Sequence, residues 1–153
     1  MKNVFRKSII VTCALISMHS SVMFGITEQE NRKLLDLQSV VSFIKQGSQE
    51  LLHRTNLPNN KQSFIHSLTN ITDFYFRNEY MSMSFNRFLA FHGEDRELNT
   101  EALLKRVTTL TQGILRRISE IEAGPSYHGL APELVGSLNT VKQEVQASLA
   151  LER

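Results

Sequence analysis

Apolar residues in this chain recur at intervals of three and four, and the recurrence breaks at a few polar, glycine and proline junctions. The first run opens at Thr27-x-x-Glu30, a capping box in which each side chain satisfies an amide left free at a helix start. Leu34, Leu37, Val41, Ile44 and Leu51 then place a stripe along one helical face, interrupted by Ser48. Gly47 weakens such a helix by about 1 kcal/mol relative to Ala without ending it. The end falls at Thr55-Asn56-Leu57-Pro58-Asn59-Asn60, whose proline and asparagines signal a turn.

A second helix is predicted from about Lys61 to His92, with Phe64, Leu68, Ile71, Phe74, Met81, Phe85 and Phe88 periodic and Gly93 as its C′ residue. Glu94 to Glu97 form a solvated connection. Asn99 or Thr100 caps a third helix, striped by Leu103, Val107, Leu110, Ile114, Ile118 and Ile121 and stopped by Gly124-Pro125. After a loop over Ser126–Ala131, Pro132 suits the first position of a fourth helix, where no amide hydrogen is required. Leu134, Leu138, Val141, Val145 and Leu149 carry its stripe. With no alternating strand-length runs and no internal repeats, the pattern predicts an all-α antiparallel four-helix bundle over residues 27–153.

The second helix stands apart. It carries eight of the chain's twelve aromatic residues. At about 100° per residue, Ile71, Phe74, Met81, Phe85 and Phe88 gather on one side, while Phe76, Tyr80, Met83 and Phe91 gather almost opposite. A helix apolar on two faces is buried on both or offers one to a partner. Phe76, Tyr80, Met83 and Phe91 are therefore the candidate binding residues, forming a dimer seam, a host- or partner-binding face, or a lipid contact.

The chain's first residues have a different character. Met1 to Lys7 is basic, and Ser8 to Met18 is an uncharged, mostly apolar run of 11 residues, the length of a secretory h-region. Residues 1–25 are read as a cleavable secretory signal, with cleavage after Ser20, Ser21 or Gly25. The competing reading is a retained anchor, because Ser8 to Ile26 gives 19 residues free of Lys, Arg, Asp and Glu. Ile10-Val11-Thr12-Cys13 resembles a lipobox only loosely.

Removing the leader changes the charge. The formal +2 reflects 17 Lys and Arg against 15 Asp and Glu. Lys2, Arg6 and Lys7 lie in the leader and the first acidic residue is Glu28, leaving 14 against 15, a net of −1. The basic pI near 8.8 is thus no signal for nucleic acid. The one cysteine, Cys13, is also in the leader, so the mature chain has neither a disulfide framework nor a cysteine nucleophile.

Candidate chemistry is sparse. Glu50-x-x-His53 has the spacing of a bundle di-metal ligand pair, but such a centre needs a second pair, and no other mature histidine has Glu three residues before it. No phosphate loop, nucleophile elbow or haem-attachment motif occurs, so no cofactor and no catalytic residue is assigned. Lys105, Arg106, Arg116 and Arg117 on the third helix read as a solvated face. Asn70-Ile71-Thr72 matches the glycosylation sequon, but it falls within the second predicted helix with Ile71 in the core stripe; in a bacterial protein it would carry no consequence.

These readings converge on a secreted or periplasmic, non-enzymatic helical bundle that binds a protein partner or itself, as an exported effector or a structural component. No nucleic acid is expected, and no stable membrane span once the leader is cleaved. The alternatives are a bundle holding a small apolar ligand or metal in its core, which an aromatic-lined pocket would support, and a membrane-anchored domain with a retained leader. In a cell with a Sec pathway, intact mass should show an exported product lacking about the first 18 to 27 residues. Full-length chain in the cytosol would refute the signal, and full-length chain in membranes would favour the anchor.

Overall fold

The computed structural model describes residues 25–77 and 98–153. Among them are four α-helices and no strand: α1 (Glu28–Leu52), α2 (Gln62–Thr69), α3 (Thr100–Glu122) and α4 (Pro132–Glu152). Single 3-10 turns cover Asn59–Lys61 and Tyr127–Gly129. The fold is an all-helical bundle.

Helix α1 is its centre. Leu34, Leu37, Val41, Ile44 and Leu51 are buried as their spacing predicts, but so are Gln38, Val40, Phe43, Gly47 and Ser48, which widen the stripe. The helix packs against α2 on one side and α3 on the other, while α4 closes the arrangement against α3 and α2. Helix α3 turns Leu103, Val107, Ile114, Ile118 and Ile121 inward. Thr111 is buried in the place expected of Leu110, its hydroxyl donating to the Val107 carbonyl at 2.8 Å, and Leu110 is half-buried. From α4 come Leu138, Val141 and Val145, with Ser148 buried and Leu134 and Leu149 at the margin.

Polar contacts set how the helices meet. Asp36 near the start of α1 accepts from Arg117 near the end of α3 at 2.7 Å. Arg54, just beyond the end of α1, donates to the Leu98 carbonyl ahead of α3 at 2.7 Å. Lys142 of α4 reaches Glu122 at the end of α3 at 2.9 Å, and Lys61 ahead of α2 reaches Glu152 at 3.1 Å.

The capping box at Thr27 forms as the sequence predicts, and its acid does more than cap. One Glu30 oxygen accepts from the Thr27 amide at 2.9 Å and the Ser126 hydroxyl at 2.7 Å; the other accepts the Ser126 amide at 3.0 Å. Glu30 thus joins the start of α1 to the loop between α3 and α4. The Ser126 hydroxyl also lies 3.1 Å from the carbonyl of Gly25, whose φ of 55° is left-handed. Gly124 allows this approach: a Cβ there would stand 2.7 Å from a Glu30 oxygen.

One element departs from the sequence reading. The second helix, expected to run to His92, ends at Thr69, and Asn70–Arg77 is not helical. The last turn is disarmed by its own side chains. The Ser67 hydroxyl donates to the Phe64 carbonyl at 2.7 Å, the Thr69 hydroxyl to His66 at 2.7 Å, and the Asn70 amide to His66 at 3.2 Å. Such local bonds compete with helix continuation. The rest of the predicted helix, with Tyr80, Met83, Phe91 and Gly93, lies outside the described residues.

Two expectations follow. Replacing fully buried Ile114 with Ala should cost about 2–5 kcal/mol, against less than about 0.5 kcal/mol for exposed Arg116→Ala, as read in denaturant melts. The second concerns pH: hydrogen bonds from the Thr27 amide, then the Ser126 hydroxyl and amide, hold Glu30 down from 4.5 to about 2. A depressed carboxyl stabilises the fold fully above its unfolded value and loses that contribution as pH falls towards its folded value. Between pH 4.5 and about 2, Glu30→Gln protein should therefore lose less stability than the parent, and at pH 7 it should melt at a lower temperature.

Candidate interaction surface

Beyond Thr69 the chain lies along the bundle with two residues, three apart, turned inward. Ile71 and Phe74 are buried, and Thr72, Asp73 and Tyr75 are exposed. An extended segment against a packed core must find partners for its backbone polar groups, because an unpaired buried amide costs about as much as a lost hydrogen bond. Here helix side chains supply them.

Glu144 of α4 accepts the Thr72 amide at 2.7 Å and its hydroxyl at 2.8 Å. Lys45 of α1 pairs with Asp73 at 2.6 Å. Gln38, itself buried in α1, makes three bonds: its carbonyl accepts from the Phe76 and Arg77 amides at 2.5 and 2.9 Å, and its amide donates to the Arg77 carbonyl at 2.8 Å. This is the pairing a neighbouring strand would provide, made by one side chain.

The anchoring displays aromatic surface at one place. Phe76 is half-buried against the core with the Arg77 guanidinium 5.3 Å from its ring centre, a cation–π arrangement. Tyr75 beside it keeps 46% of its surface exposed. Of the four candidate binding residues, Phe76 is thus placed on a non-helical segment rather than a helical face. Tyr80, Met83 and Phe91 lie outside the described residues.

The other sequence candidates scatter. Glu50 and His53 are both exposed, Glu50 paired with Arg54 at 3.2 Å and the His53 ring 2.7 Å from the Gln49 carbonyl. No grouping of three potential metal ligands occurs among the described residues. Arg117 is engaged with Asp36, and Arg116 lies 3.8 Å from Glu120.

Sequence reasoning missed a groove of about 860 Å³ between α2 and α4. Ser63, His66 and Asn70 form one side, Glu144, Ser148 and Leu151 the other, with Leu52 at one end. Leu52 and Leu151 are two of the exposed large apolar side chains. Its described lining has no Phe, Tyr or Met, so it is not the aromatic-lined pocket a core ligand would call for. The periodicity of α4 hints at it, since Ala147 and Leu151 fall off the buried stripe. No helix of the described residues is long and apolar enough to cross a membrane.

In comparisons with known proteins, no family model matches this chain, and neither a curated protein nor a solved structure matches it.

Losing the Gln38 clamp should be measurable. Gln38→Leu leaves two backbone amides and a carbonyl without their partner and should cost about 1–3 kcal/mol. Hydrogen exchange at Phe76 and Arg77 should quicken more than exchange in α3. Uniform acceleration across the bundle would mean that Gln38 serves general stability and not the segment.

Proposed function

We propose that this is an exported, non-enzymatic helical-bundle protein that acts by binding another macromolecule, a protein partner or a second copy of itself. The observation that carries the reading is the anchored segment Asn70–Arg77, which holds Tyr75 and Phe76 at the surface. Aromatic residues suit such surfaces because they bring large contact area at low conformational cost. Residues Phe76, Tyr80, Met83 and Phe91 form the proposed contact, with Tyr75 added by its exposure. The basic and apolar leader supports delivery to a secreted or periplasmic location. Anchorage by a retained leader is the competing outcome.

Tyr75→Glu and Tyr80→Glu are the direct tests. A carboxylate at a contact must be desolvated without a partner, so each variant should stay folded by circular dichroism and lose association. Light scattering reads self-association, and capture from the native cell with identification of the bound protein reads a partner. Unfolding of Tyr80→Glu would mean internal packing at that residue. Folded variants with unchanged association would remove the proposed role.

A further inference from the structure

We propose that Asn70 is an N-glycosylation acceptor whose first sugar lies at the edge of the groove between α2 and α4. The inference rests on the export reading above, since glycosylation of this kind occurs on a chain crossing into a secretory compartment. Within a helix, with its middle residue in the core, Asn70-Ile71-Thr72 reads as inert. The structure removes that objection. Helix α2 ends at Thr69, Asn70 is exposed at its C-terminal cap, and the chain turns there into the extended segment. Ile71 is buried, but the two residues the chemistry uses, Asn70 and Thr72, are both exposed.

The site has room for the product. The Asn70 side-chain amide has two N–H bonds; its nitrogen lies 3.2 Å from the His66 carbonyl and 3.5 Å from the His66 ring Nδ1, so a sugar on it would replace the longer of these two contacts. The N–H on that side gives way to a bond to the anomeric carbon of the sugar. Beside it opens the groove of about 860 Å³ with the exposed Ser63 and the exposed Leu151. That surface matches a sugar, whose hydroxyls and C–H faces find partners there.

The order of events is also set. In the folded bundle the Thr72 amide and hydroxyl are both held by Glu144, 72 residues further along. The Thr72 amide and hydroxyl are therefore unengaged before α4 is synthesised and docked, and held by Glu144 afterwards, while Asn70 stays exposed. Transfer takes place on the entering chain from a polyprenyl-diphosphate-linked oligosaccharide. The Asn70 Nδ2–carbon bond forms, the bond from that carbon to the diphosphate breaks, and one amide proton is released.

The test expresses the full chain in a eukaryotic secretory cell, once with its own leader and once with residues 1–24 replaced by a leader of established function. Intact mass is read before and after digestion with an amide-cleaving glycosidase. The expected product carries one glycan, removed by the enzyme with conversion of residue 70 to aspartate. Asn70→Gln and Thr72→Ala should abolish it, Thr72→Ser should retain it, and Glu144→Gln should leave it in place because transfer precedes docking. Modification only with the substituted leader keeps the acceptor and refutes export by the native leader. Exported chain of unmodified mass overturns the proposal, as does unmodified retention of both chains in the cell.

Discussion

The path of Asn70–Arg77 depends on the demand of backbone amides for partners. A helix meets that demand internally, and α2 stops meeting it when Ser67, Thr69 and Asn70 turn their side chains onto its last carbonyls. From there the amides of Thr72, Phe76 and Arg77 find new acceptors in Glu144 and Gln38. Without them Ile71 and Phe74 could reach the core only by stranding backbone groups. Buried apolar residues and surface-held aromatics on this stretch are two consequences of one polar arrangement.

The same requirement explains why α1 is central. It packs against both α2 and α3 and, through Gln38, holds Phe76 and Arg77, so a single apolar stripe is not enough. Val40 and Phe43 widen it, and Gln38 gives it a polar device where the neighbour is backbone and not side chain. The device is safe because all three of its bonds are made, whereas an unsatisfied buried amide would destabilise the same position. Ser48, fully buried with no partner for its hydroxyl among the described residues, shows the opposite case. At the far end Glu30 repeats the logic of Gln38, joining a helix start to a distant loop through convergent hydrogen bonds.

Sequence legibility follows these physical distinctions. Where order comes from local chemistry, the residues announce it: Thr27 and Glu30 form their box, Asn99 caps α3, and Pro132 opens α4. Stripes are legible because a helix returns the same face every three or four residues. The second segment misled because an extended chain whose alternate or third residues turn inward can bury the same positions. Phe64, Leu68, Ile71 and Phe74 are all buried, the first two in a helix and the last two out of it. The helix-ending cue was present in Thr69, Asn70, Thr72 and Asp73, residues of low helix propensity, but the aromatic periodicity masked it. Gln38 could not be read at all: a glutamine on a helix acquires its role only when a distant backbone comes within 3 Å.

The candidate surface was legible in composition and misplaced in geometry. Eight aromatics in one stretch set it apart in composition, but a helical wheel is the wrong frame for Phe76, which is not in a helix. On this non-helical segment Phe74 goes to the core and Tyr75 beside it to the surface without any second helical stripe. This separation would let the stretch serve stability and the proposed contact together. Phe74 fastens it, Gln38 fixes its register, and Tyr75 and Phe76 are held at the surface by contacts that lie beneath them. A surface held from below loses less freedom when a partner arrives, which is where preorganisation contributes to affinity.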